Sequence, residues 1–137
     1  MAGYHLLYLA RWLADAPEPR WRRTEEALAL LPRIRAAFGG DALRGNTGPI
    51  LWVDGLVRYR SGDYEGARDV VSGVRLSKGD PDLAAAVMIL SMSHARLGND
   101  AEARRLFDKA RDWMARYPEC VDLDLERIRD EAASVLR

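Results

Sequence analysis

Gly62-Asp63-Tyr64-Glu65-Gly66-Ala67 returns as Gly98-Asn99-Asp100-Ala101-Glu102-Ala103. The surroundings return with it. Arg60, Gly62, Ala67, Arg68 and Arg75 recur as Arg96, Gly98, Ala103, Arg104 and Arg111, every pair offset by 36 residues. Self-similarity at a fixed period of this size marks stacked helical units, each too small to bury its apolar face alone. The two glycines punctuate tight turns, because a residue without Cβ adopts the left-handed conformation that stops a helix. Residues 49–116 therefore read as two helix hairpins. The first pairs helices over 50–61 and 64–77, the second pairs 82–97 and 100–116, and Asp80-Pro81-Asp82 supplies the break and cap between them.

Outward from this centre, the first helix runs from about Tyr4 to Asp15, with Leu6, Leu9 and Leu13 as an apolar stripe, and Pro17 and Pro19 end it. A second helix begins near Thr24, where Glu25 and Glu26 favour the positive end of the helix dipole. Pro32 is expected to kink or shorten it. Gly39 to Gly48 is a turn-rich loop or short hinge. A final helix, about Asp122 to Leu136, places Leu123, Ile128, Ala132, Val135 and Leu136 on one face with charges opposite. No segment alternates with period two, so the expected fold class is all-α.

The chain has 137 residues, one domain's worth, with 21 basic and 21 acidic residues and a formal net charge of zero. This balance argues against a dedicated nucleic-acid binder, which carries a basic excess to displace counterions. The basic residues are nearly all Arg, which reads as GC-rich coding and a bacterial source. Cys120 stands alone, which rules out an internal disulfide. The N-terminus lacks the basic region and unbroken apolar core of a signal peptide. No apolar run approaches the roughly 18 residues that span a bilayer. A soluble, cytoplasmic protein with no membrane partner is expected.

Catalytic signals are missing. His5 and His94 lie in different hairpins, and neither has a Cys or carboxylate at zinc-ligand spacing. The glycine-rich stretch lacks the ending of a phosphate loop, and there is no Gly-x-Ser-x-Gly elbow. We expect no enzyme, no metal and no cofactor. Arg20-Trp21-Arg22-Arg23 could stack on a base or track phosphates. Glu25 and Glu26 follow at once, so a solvated junction is the favoured reading.

The repeats have internal grammar. One reads Leu51-x2-Asp54-Gly55-x2-Arg58, then Gly62-Asp63-Tyr64, then Ala67-x3-Val71-x2-Val74. The next reads Val87-x2-Leu90-Ser91-x2-His94, then Gly98, then Ala103-x3-Phe107-x2-Ala110. Gly55 and Ser91 let paired helix axes come close, with Ala67 and Ala103 opposite. This pattern resembles the tetratricopeptide repeat family, well over Leu51 to Ala110 and more loosely over the first hairpin. The resemblance implies a right-handed superhelix of about three antiparallel hairpins with a C-terminal capping helix. As one domain over 1–137, it divides into a degenerate repeat over 1–38, repeats over 49–80 and 82–116, and the cap over 122–137. The period is about two residues longer than the family's usual 34. Asp54 and Arg58 replace large apolar residues, either as an ion pair on a partly wet helix face or as a polar pocket against the N-terminal hairpin.

In that family the first helices of successive repeats line a concave face. The resemblance places Tyr4, Leu7 and Arg11, then Trp52, Leu56, Tyr59 and Arg60, then Met88, Met92 and Arg96 on this groove. Aromatics, Met and Arg are enriched at protein interfaces. Members of that family that clamp a C-terminal carboxylate use Lys, Asn and Arg where this chain has Trp52, Val53 and Leu56, then Met88, Ile89 and Met92, so an apolar peptide or amphipathic helix fits better, with Arg60 and Arg96 pairing acidic residues on the ligand. The expected function is a protein-interaction scaffold. The competing reading is self-association into a homo-oligomer through the groove or the stack end. If the N-terminal hairpin folds over the groove, the same residues become core. If the groove is open, Trp52→Ala or Met92→Glu should abolish binding while the fold survives.

Overall fold

The computed structural model of the chain describes residues 2–16, 18–38 and 47–137. Among them are seven α-helices and no strand: α1 (Ala2–Asp15), α2 (Thr24–Phe38), α3 (Thr47–Arg60), α4 (Tyr64–Val71), α5 (Pro81–Arg96), α6 (Asp100–Arg116) and α7 (Leu123–Val135). Short 3-10 turns at Pro19–Trp21 and Pro118–Cys120 precede α2 and α7.

The repeated turns have the same hydrogen bonds. Asp63 N–H donates to Arg58 C=O (3.0 Å) and Gly62 N–H to Tyr59 C=O (3.1 Å); one period on, Asn99 N–H donates to His94 C=O (2.8 Å) and Gly98 N–H to Ala95 C=O (3.1 Å). This double closure satisfies the last carbonyls of a helix and needs a residue at positive φ, here Gly62 at +87° and Gly98 at +84°. Asp63 then caps α4 by accepting from Gly66 N–H at 2.9 Å.

Helices α1 and α2, α3 and α4, and α5 and α6 pack as successive pairs, and α3 also packs on α1 and on α5. At Gly55 an added Cβ would sit 2.7 Å from Val71 Cγ1, so glycine sets how close α3 and α4 lie. The equivalent Ser91 is fully buried and donates from Oγ to Ala103 C=O at 2.6 Å, tying α5 to α6. One continuous apolar core runs through all seven helices. Its centre is α5, where every residue from Ala84 to Ser93 is buried. A helix apolar all round has no face for water and must be enclosed. Helices α3, α4, α6 and α7 enclose it.

Several sequence expectations change. Helix α4 stops at Val71, well short of 77, because Ser72 turns extended and Gly73 takes φ +82°. The segment that follows is held to α6 by Trp113 Nε1–H, which donates to Ser77 C=O at 3.2 Å. Helix α2 runs through Pro32, whose ring is exposed, and is not shortened. Most of the Gly39–Gly48 stretch lies outside the described residues, as does Pro17, while Thr47 and Gly48 already belong to α3. Leu123 is not on the apolar face of α7. It is 77% exposed, and Leu125 takes the buried position with Ile128 and Ala132.

Candidate functional site

The first helix of each pair contributes to one shared face. Leu7 comes from α1, Trp52, Leu56 and Tyr59 from α3, and Met88 and Met92 from α5. All six side chains are buried. Tyr4 and Arg11 are half-buried, and Arg96 is exposed. Most of the residues that the sequence groups as a groove lining are therefore out of contact with water.

Helix α7 lies against part of this face. It packs chiefly on α5, touches α6 little, and exchanges ion pairs with α1 and α3. An apolar ridge of Leu125, Ile128 and Ala132 points into the core. Asp122 starts the helix by accepting from Leu125 N–H at 2.8 Å. Several of its charges are paired with other helices. Asp124 pairs with Arg11. Arg127 Nη2 donates to Asp15 C=O at 3.1 Å and lies 3.4 Å from its carboxylate. Glu131 pairs with Arg60 through both guanidinium nitrogens, one bond being 2.6 Å. The result is an alternating chain across three helices: Arg11, Asp124, Arg127, Asp15, Arg60, Glu131.

Arg60 is the most buried cation of this chain. Its side chain is 8% exposed, and Nη2 also reaches Asp15 Oδ1 at 2.7 Å. Burial works against its charge, but the hydrogen bonds to Glu131 and Asp15 outweigh burial and hold the guanidinium above its ordinary range. Its Nε is buried with no hydrogen-bond partner. The sequence reading gives Arg60 to acids on a ligand, whereas in this structure the acids come from the chain itself. Arg96 Nε–H donates to the Tyr59 hydroxyl at 3.1 Å, and burial pushes that phenol up despite the bond.

At one end of the covered face a cleft of about 180 Å³ remains, lined among others by Tyr4, Tyr8, Arg11, Trp52 and Asp124. Asp82 also lines it. Burial, then neighbouring Asp80, raises its carboxyl above the usual range.

Asp54 is a buried carboxylate that the two sequence alternatives describe jointly. Arg58 Nε donates to it at 2.7 Å within α3, and Arg35 Nη2 from α2 at 2.5 Å. It is thus a pocket against the N-terminal hairpin as well as an i,i+4 pair. Arg20 to Arg23 do not form one basic surface. Arg22 folds back to donate to Ala16 C=O at 3.0 Å, while Arg20 and Arg23 face Glu18 and Glu26. His94 sits in its turn with Nδ1 3.2 Å from Asn99, and Cys120 is a free, half-buried thiol. Among the described residues no cluster of three His, Cys, Asp or Glu could hold a metal, and no helix is long and apolar enough to cross a membrane.

One exposed apolar surface stands apart. Tyr8, Leu9 and Trp12, each at least 45% exposed, share the side of α1 opposite buried Leu7, Ala10 and Ala14, and exposed Trp21 follows in the turn. Compared with protein-family models, with curated proteins and with solved structures, the chain matches none.

Proposed function

We propose that the chain is a protein-interaction module of tetratricopeptide type, in which successive hairpins form a superhelical stack. The α1, α3 and α5 face receives a helical segment of a partner protein, and the module binds without catalysis. One observation carries this reading: the face already holds an amphipathic helix, α7, by apolar insertion and matched charges. Helix-in-groove recognition uses these same elements. The partner and α7 exclude each other, so binding requires α7 to leave. The test is photo-crosslinking from position 96, exposed at the edge of this face. Crosslinks from captured protein that extend onto α1, α3 and α5 support the reading. Capture confined to the outer sides of α2, α4 and α6 would sink it.

The α1 surface favours a second reading, self-association through the end of the stack. Large exposed apolar side chains on one stripe mark interaction sites. Sedimentation of the wild-type chain should then show a concentration-dependent dimer. Leu9→Glu with Trp12→Glu should return it to monomer with little loss of fold, because both positions face water. A wild type that stays monomeric at high concentration removes this reading.

A further inference from the structure

We infer that the occupant which replaces α7 is an acidic amphipathic helix of a partner protein, with carboxylates seven residues apart bracketing apolar side chains. This rests on the groove reading above and specifies the ligand. The resident helix shows the pattern: Asp124, Leu125, Ile128, Glu131 and Ala132, with acids at i and i+7, apolar residues at i+1 and i+4, and a small residue at i+8. Two helical turns separate the acids by roughly 10 Å along the axis. They meet Arg11 at one end of the face and Arg60 near the other.

When α7 leaves, Arg60 keeps only Asp15, Asp15 loses Arg127, and Arg11 has none of the pairings described here. Arg60 lies on the face with its side chain 8% exposed, so a helix seated there must bring a carboxylate to it or leave a buried charge half-compensated. A basic helix is repelled for the same reason, since like charges facing each other in a water-poor seam are costly. An uncharged apolar helix would fill the places of Leu125 and Ile128 and leave both arginines unanswered. The face therefore selects on charge as well as on shape. Tethering gives α7 a high effective concentration, so a partner helix wins only when it is the better fit or when α7 is loosened.

The probe is a labelled 16-residue peptide with the sequence of residues 122–137, beside the same peptide carrying Asp124→Lys and Glu131→Lys. The receptor is the full chain, as wild type and as Ile128→Ala. That substitution weakens the hold of the resident helix without touching the face or its charges. The acidic peptide should bind Ile128→Ala about tenfold or more tighter than wild type. It should also bind about tenfold or more tighter than the reversed peptide, the weight of one or two charge-assisted contacts. If Ile128→Ala does not fold, hydrogen exchange on wild type gives the same answer. Excess acidic peptide must speed exchange over 123–135, and reversed peptide must not. Equal binding of both peptides overturns the acidic specificity and leaves the groove reading standing. If neither peptide binds the folded variant, nor speeds exchange in wild type, both readings fail. A wild-type dimer that acidic peptide dissociates overturns the partner assignment, because the occupant is then α7 of a second copy.

Discussion

Arg60→Ala is expected to destabilise the fold by about 3–5 kcal/mol, the cost of removing one partner from a buried ion pair. The side chain is 8% exposed and serves two carboxylates, Asp15 on α1 and Glu131 on α7. Its loss leaves Asp15, itself 6% exposed, with Arg127 alone, and leaves Glu131 facing the seam without its partner. Urea denaturation followed by circular dichroism measures the loss. A control separates the pair from its packing: Arg60→Met with Asp15→Asn and Glu131→Gln removes the charges together and should recover much of the stability, because no buried charge is left unanswered. A loss below about 1 kcal/mol for Arg60→Ala is the range of a solvent-screened surface pair. It would mean that α7 is not closed over α3 as described.

Met92→Glu is expected to cost about 4 kcal/mol or more, a large share of the total stability, and to lower the melting temperature steeply. Domains of this size hold only about 5–15 kcal/mol in total. Met92 is wholly buried, on a helix enclosed by four others, so a carboxylate placed there loses its water. Met92→Leu conserves volume and should cost below about 1.5 kcal/mol. Thermal melts of the three proteins decide the matter, and a cooperative, near-native melt for Met92→Glu would show that the face is open to water. This reverses the expectation drawn from sequence, in which Met92→Glu spares the fold. Trp52→Ala fails for the same reason, since Trp52 is buried too and its removal opens a cavity.

The covering of the face was partly legible. Residues 83–93 of α5 contain no charged side chain. Two hairpin neighbours and one partner helix enclose only part of such a helix, so a further element was required. The stripe Leu125, Ile128, Ala132 is readable as that element, although a face drawn through Leu123 misses Leu125. The Asp54 pocket was readable from Asp54 and Arg58, four apart on one helix. Arg35 was not, because it comes from α2, and nothing in its own surroundings marks it among the many arginines.

Most helix spans, the glycine turns and the period that relates one hairpin to the next are readable along the chain, although α4 ends at Val71, short of the expected 77. These features depend on hydrogen bonds and apolar spacing between residues a few positions apart, and those are written in order along the chain. Only the tertiary structure decided where α7 goes. After Tyr117 the chain can continue the row of helices beside α6 or fold back across α1, α3 and α5, and no local spacing distinguishes the two. The choice is made by contacts that are distant in sequence: Arg60 with Glu131, 71 residues on, and Arg11 with Asp124, 113 residues on. A charge carries no label of its partner until the fold brings the two together, which is why the same arginines read as ligand contacts in the sequence and as clasps in the structure.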